Sequence, residues 1–251
     1  MNPFDLTGRW AIVTGANTGI GQAISVGLAQ AGADLVGVGR SDMSETAEQV
    51  AAVGRTFVPL TADLSDIAAA KAVIERAIAA GATPDILVNN AGIIRRADAL
   101  EFTEEDWDAV LDTNLKSVFF LCQAFARAAI ATGRPAKIIN VASLLSFQGG
   151  IRIPSYTAAK SGLAGITRLM ANEWASRGIN VNAIAPGYVE TNNTTALRAD
   201  AERSADILKR IPAGRWAKAR DMAGAAVFLA SSASDYVHGT ILPVDGGWLA
   251  R

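Results

Sequence analysis

Short apolar runs alternate with segments of helical period along the whole chain. Residues 10–14 (WAIVT), 34–38 (DLVGV), 56–61 (TFVPLT), 85–88 (DILV), 137–141 (KIINV), 179–184 (INVNAI) and 240–244 (TILPV) read as strands. Between them, apolar positions recur at i, i+3 and i+4 through Ala31, over 44–53 and 66–80, along a long helix after Asp106, in a helix reaching about Arg177, and over 221–231. The long helix starts at Thr103-Glu-Glu-Asp106, a cap followed by acids in the first turn. It carries Trp107, Val110, Leu111, Leu115, Val118, Phe119 and Cys122 on one period, with Asn114 as a polar interruption. Strands alternating with helices from end to end predict an α/β fold, a doubly wound parallel sheet of about seven strands with helices on both faces in three layers. No linker, repeat or low-complexity tract interrupts the pattern, so residues 1–251 read as one domain. The exception to the periodicity is the polar stretch of 188–212, rich in Asn, Thr and Arg at its start, which reads as a mobile substrate lid.

Composition narrows the chemistry. A formal charge of −1 and a pI near 5.9 give no basic excess for nucleic acid or an anionic membrane, which favours a small-molecule ligand. No basic leader precedes a long apolar segment, and no stretch offers about 20 apolar residues uninterrupted by charge, so the expectation is a cytoplasmic protein without a membrane anchor. One cysteine, Cys122, excludes an internal disulfide framework. One histidine, His238, leaves no His-rich metal site or His-dependent triad, and no metal is expected. Both residues read as packing.

Polar residues gather where predicted strands end. The first strand runs into Gly15-Ala-Asn-Thr-Gly19-Ile-Gly21 and then a helix. Glycines let the backbone approach a pyrophosphate, and the helix start offers free N–H groups to it, so Gly15, Asn17, Thr18, Gly19, Ile20 and Gly21 are cofactor candidates. The spacing is G-x-x-x-G-x-G, not the commoner G-x-G-x-x-G. The second strand ends at Gly39-Arg40-Ser41, where an acid would bind a ribose 2′-hydroxyl and an arginine a 2′-phosphate; Arg40 leans the reading towards NADP. Asp63, with Leu64, stands at a strand's carboxyl end as an adenine contact or a helix cap. Later strands deliver Asn89-Asn90-Ala91-Gly92, Ser143 and Ala-Pro186-Gly187. Tyr156 and Lys160, four apart, share one helix face, and a cation beside a phenol favours its ionised form.

Taken together, Thr14-Gly-x-x-x-Gly-x-Gly21, Asn89-Asn-Ala-Gly92, Asn114, Ser143, Tyr156-x-x-x-Lys160 and Pro186-Gly187 resemble the short-chain dehydrogenase/reductase family over the whole length of the chain. That resemblance implies a Rossmann-type fold and an NAD(P)-dependent enzyme interconverting a secondary alcohol and a ketone. It implies Tyr156 as general acid/base, Ser143 as hydrogen-bond partner of the reacting oxygen, Lys160 as support for the tyrosinate and ligand of the nicotinamide ribose, and Asn114 as holder of a relay water. It further implies that Asn90, Ala91, Gly92, Pro186, Gly187 and Val189 pack along the cofactor, with Thr191 holding the carboxamide, and that the chain forms a homotetramer with Trp248–Arg251 at a subunit contact.

Several segments, among them NNAGIIRRADALEF, SLLSFQGGIRIPSYTAAKSG, APGYVETNNTTALR and VDGGWLAR, resemble the branch of that family acting at C5 of 2-dehydro-3-deoxy-D-gluconate, a keto sugar acid from pectin breakdown. Arg95, Gln148, Arg152 and Asn192 are then candidates to bind an anionic substrate, with Arg96 and Asn193 on the same segments; each arginine could equally serve the surface. Arg215 reads as structural. The branch is associated with NAD, whereas Arg40 argues for NADP, so both cofactors stay open. Two other readings fit fewer features: a reductase of 3-oxoacyl carrier thioesters or another neutral ketone, and a nucleotide-binding sensor without catalysis.

Overall fold

A computed structural model describes residues 2–251. The chain runs β1 (Trp10–Thr14), α1 (Gly19–Gln30), β2 (Asp34–Gly39), α2 (Ser44–Ala52), β3 (Phe57–Thr61), α3 (Ile67–Ala79), β4 (Pro84–Asn89), α4 (Glu104–Leu111), α5 (Ser117–Thr132), β5 (Ala136–Val141), α6 (Pro154–Trp174) and β6 (Ile179–Pro186). It continues through β7 (Val189–Glu190), α7 (Thr195–Ala199), α8 (Ala201–Arg210), β8 (Ala217–Lys218), α9 (Ala223–Ala230) and β9 (Ile241–Val244). Seven strands form one parallel sheet in the order β3-β2-β1-β4-β5-β6-β9, as the alternating pattern predicts.

Strand side chains alternate between the two faces, which is why near-continuous apolar runs were needed. Ile12, Val36, Leu87 and Ile138 pack with Val73, Leu121 and Leu163 of α3, α5 and α6 on one side. Ala11, Val13, Leu35, Ile86 and Ile139 pack with Ile24, Leu28 and Leu229 of α1 and α9 on the other. The strand order reverses direction between β1 and β4, so the loops leaving their carboxyl ends diverge to opposite faces and open a crevice there.

Most boundaries fall within a residue or two of the sequence reading. Thr103 caps α4, its hydroxyl accepting from Asp106 N at 3.2 Å. The cap of α3 is Asp66, accepting from Ala68 N at 2.8 Å, which removes that role from Asp63. α4 and α5 are one rod, Glu104–Thr132, long and apolar enough by length and composition to cross a bilayer; Val118, Leu121 and Phe125 place its apolar stripe in the core. The rod is interrupted by a π-turn at Asp112–Lys116, which carries Asn114. The stretch of 188–212 carries more regular structure than its polar start suggested. It holds two helices, and α8 sends Ile207 inward to meet Leu144, Trp216 and Trp248.

Candidate active site

The glycine turn after β1 is shaped by close approach. Gly15 and Gly19 have φ of +65° and +58°, open to glycine at little cost. A Cβ on Gly15 would lie 2.8 Å from Asn90 Nδ2, and one on Gly21 would lie 2.1 Å from Gly15 O. Thr14 staples the turn to the end of β4: its hydroxyl accepts from Asn90 N and Ala91 N, both at 3.0 Å, while Asn90 Nδ2 donates to Thr14 O at 3.0 Å and Gly15 O at 3.3 Å. The α1 cap, Thr18, makes no side-chain hydrogen bond, and no acid stands in the first turn. Its N–H groups therefore face the crevice unpaired by side chains, at the positive end of the helix dipole. That is the donor set a pyrophosphate requires.

From there the crevice extends in two directions. One arm, about 520 Å³, is bordered by Arg40, Ser41, Asp63, Leu64 and Ser65. Asn17 Nδ2 donates to Ser41 Oγ at 2.7 Å, joining the glycine turn to the end of β2. Asp63 accepts from Ser65 N at 3.0 Å and Ser65 Oγ at 2.8 Å, and these bonds hold its carboxyl below the usual range. Arg40 Nη1 meets Asp63 at only 3.5 Å, with the two side chains 65% and 50% exposed. Such a pair contributes little and leaves the guanidinium free to turn to a phosphate. Ser41, the last residue of the Gly39-Arg40-Ser41 segment singled out in the sequence, thus joins Arg40 at this arm.

The other arm, about 400 Å³, brings together Ser143, Tyr156, Lys160, Pro186, Gly187, Val189, Thr191 and Asn192 with Gly15, Asn17–Ile20 and Asn90–Gly92. β5 delivers Ser143, and Pro154 starts α6 so that Tyr156 and Lys160 point into the same space. Burial pushes the Tyr156 phenol up, opposed by a hydrogen bond from Ser143 and by the nearby Arg96 charge. Lys160 is 5% exposed; burial lowers it to about 8, and its Nζ donates to Val141 O at 2.6 Å. That Nζ lies 5.6 Å from the centre of the Tyr156 ring. At neutral pH the amine remains mostly charged, with two N–H bonds left for other partners.

Two further devices hold this geometry. Asn114 is fully buried: Nδ2 donates to Ile93 O at 2.8 Å and Oδ1 accepts from Ile93 N at 2.9 Å, so its side chain clamps the chain after Gly92. Both amide ends are engaged there, and the π-turn that carries Asn114 interrupts the regular helical ladder of the rod. Behind the site, Asn140 of β5 donates to Thr167 of α6 at 2.9 Å and accepts from Asn89 Nδ2 of β4 at 2.9 Å. Asn89 also meets buried Cys122 at 3.1 Å, whose thiol burial raises to about 12.

The proposed anion binders divide. Asn192 borders the site. Arg95 borders the other arm and is paired with Asp106 at 3.0 Å. Gln148 and Arg152 do not line the cavity: Gln148 Oε1 accepts from Trp248 Nε1 at 3.2 Å, and Arg152 is exposed with a φ of +62°. Arg96, left out of the sequence's leading set, is the arginine whose charge reaches Tyr156, and it donates to Asn193 O at 3.0 Å. The Arg95-Arg96 dipeptide held no signal to separate them. Arg215 pairs with Asp221 at 2.6 Å, as a structural residue would. His238 lies 3.2 Å from Asn180.

The chain is similar to known proteins over its whole length. The family model described as enoyl-(acyl carrier protein) reductase matches residues 15–249. The 2-dehydro-3-deoxy-D-gluconate 5-dehydrogenases of Dickeya dadantii (strain 3937) and Escherichia coli (strain K12) are each 62% identical over 251 residues, covering 100% of this chain and 99% of the relative. A crystal structure from Agrobacterium tumefaciens, of a candidate 2-deoxy-D-gluconate 3-dehydrogenase with bound NADP, is 63% identical with a TM-score of 0.95, covering 100% of both chains.

Proposed function

The chain belongs to the short-chain dehydrogenase/reductase family, and we propose that it is an NAD(P)-dependent oxidoreductase interconverting the C5 alcohol and ketone of 2-dehydro-3-deoxy-D-gluconate. The observation that carries the reading is the meeting of Ser143, Tyr156 and Lys160 in one cavity with the glycine turn, in a chain 62% identical to enzymes of that name. The crevice fits a dinucleotide: free N–H groups at the start of α1, a turn with no room for a Cβ at Gly15 or Gly21, and Arg40 at the far arm. Gly15–Gly21 would hold the pyrophosphate, Asp63 and Leu64 the adenine side, and Asn90–Gly92, Pro186, Gly187, Val189 and Thr191 the nicotinamide side. A bound nicotinamide supplies or accepts the hydride. Arg40, and the NADP bound to the Agrobacterium relative, favour NADP over NAD.

In the reducing direction Tyr156 donates its phenolic proton to the oxygen that becomes the alcohol, and Ser143 hydrogen-bonds the same oxygen. In oxidation Tyr156 must first be the phenolate, which burial opposes and the Lys160 ammonium favours. Arg96 and Asn192 would receive the substrate carboxylate, Arg96 being positioned by the Asn193 carbonyl. We read residues 1–251 as a single catalytic domain with α7 and α8 as its lid. We further read the protein as a cytoplasmic homotetramer working on products of pectin breakdown; apolar Trp107 and Leu169, exposed on α4 and α6, support assembly. The test is turnover of 2-dehydro-3-deoxygluconate and its 5-keto partner with each nicotinamide cofactor. Tyr156→Phe should keep cofactor binding and lose about 10²-fold or more in rate. Turnover no better than with neutral polyols would refute the substrate, and equal rates in mutant and parent would refute the role of Tyr156.

A further inference from the structure

The last four residues touch both walls of the reaction cavity without lining it. Trp248 is 4% exposed in the terminal 3-10 turn, and its Nε1 donates to Gln148 Oε1 at 3.2 Å, on the loop that follows Ser143. On the opposite side the Arg210 guanidinium lies 4.0 Å from the centre of the Trp248 ring. Arg251 donates to Lys209 O at 2.8 Å, so two contacts seize the last turn of α8. The Tyr188 ring is 4.8 Å away, next to Gly187 of the cavity wall. Leu144, Ile207 and Trp216 complete one apolar cluster around the indole, and Leu144 is the residue after Ser143.

The groove between α3 and α5, bordered by Lys71 and Arg127, holds no buried polar group that points to a ligand.

We propose that Trp248 is a positioning residue: it sets the docked position of α7 and α8 against the Ser143 loop, and through them the affinity for the sugar acid. The inference rests on the reading of the Asn192 end of the cavity as the substrate side. The segment that reaches the cavity, Asn192–Thr194, continues directly into α7 and α8, and α8 is seated on Trp248. The indole N–H fixes the seat relative to the catalytic loop, because Gln148 N is itself bonded to Leu144 O at 3.1 Å. Most of the cofactor contacts, among them Gly15, Gly19, Arg40 and Asp63, lie on elements that Trp248 does not touch, and only Gly187, Val189 and Thr191 adjoin the seated segment, so cofactor affinity should respond less than sugar-acid affinity.

The experiment uses the full chain carrying Trp248→Ala, which empties the seat, and Trp248→Phe, which keeps a ring and removes the N–H. Expected is a rise in KM for 2-dehydro-3-deoxygluconate of roughly 10-fold for alanine and 3-fold for phenylalanine, with kcat within about two-fold. The NADPH dissociation constant should rise by less than the sugar-acid KM, to within about two-fold of the parent, and amide exchange over 201–210 should quicken in the same order. Parent-like KM and exchange in the alanine variant, or in the phenylalanine variant if alanine does not fold, overturns the proposal. An equal loss of NADPH affinity overturns it as well. If the parent turns over no sugar acid, the substrate reading fails by itself, and the exchange comparison still decides whether Trp248 holds α8.

Discussion

Replacing Lys160 by methionine isolates its charge. Methionine keeps much of the length and removes the ammonium that faces Tyr156. With the charge 5.6 Å from the ring centre, an effective dielectric near 20 gives about 3 kcal/mol of attraction for the phenolate, equivalent to about 2 pH units. Burial already pushes Tyr156 up, and losing the cation adds to that direction. The alkaline rise in kcat/KM for alcohol oxidation, which reports the free-enzyme pKa, should therefore move up by about 2 units, a loss of roughly 100-fold at neutral pH. In ketone reduction the tyrosine acts as acid, and a raised pKa keeps it protonated over a wider range, so the loss at neutral pH should be smaller. NADPH affinity is measured separately, because Lys160 is also expected to bind ribose. A shift under about half a unit, or a downward one, would refute the electrostatic role. The same substitution carries a stability signature. Lys160 falls from an ordinary 10.5 to about 8, so between those values the unfolded chain binds more protons than the folded one. Stability should rise by about 3 kcal/mol as pH climbs through that window in the parent, and that rise should be absent from the methionine variant in denaturant titrations.

Other outcomes follow from the same contacts. Asn140→Ala strips Asn89 and Thr167 of buried partners and should cost about 3 kcal/mol, lowering Tm by roughly 6–12 °C; a change under 2 °C would show that the network is not what joins β5 to α6. Arg40→Asp should weaken NADPH by roughly 10- to 100-fold and spare NADH, measured as paired KM values; an unchanged ratio means that another group reads the 2′-phosphate. Arg96→Met should cut kcat/KM for the anionic substrate by roughly 10- to 100-fold while a neutral ketone loses much less; equal losses on both would show that Arg96 does not recognise the carboxylate.

The periodic signal was strongest where local chemistry and tertiary contact agree. β1 to β6 could be read because strands buried on both faces must be apolar along their length, and the glycine turn could be read because only residues without a Cβ tolerate contacts of 2.8 and 2.1 Å. Tyr156, Lys160 and Ser143 were legible together because a helix fixes the spacing of two of them and a strand end delivers the third. Helices α7 and α8 were missed because their first residues are polar and their single inward anchor, Ile207, gains meaning only beside Trp248 and Leu144.

The sequence by itself therefore determined the layered sheet, the glycine turn after β1 and the shared helix face of Tyr156 and Lys160, since each is set by short-range spacing and by backbone sterics. Tertiary structure alone decided which polar side chains remain available. It paired Arg95 with Asp106, tied Gln148 to an indole 100 residues away, and bound Arg96 to the Asn193 carbonyl. A charge's role depends on what else lies within a few ångströms of it, and that neighbourhood is assembled from segments whose separation along the chain carries no trace of it.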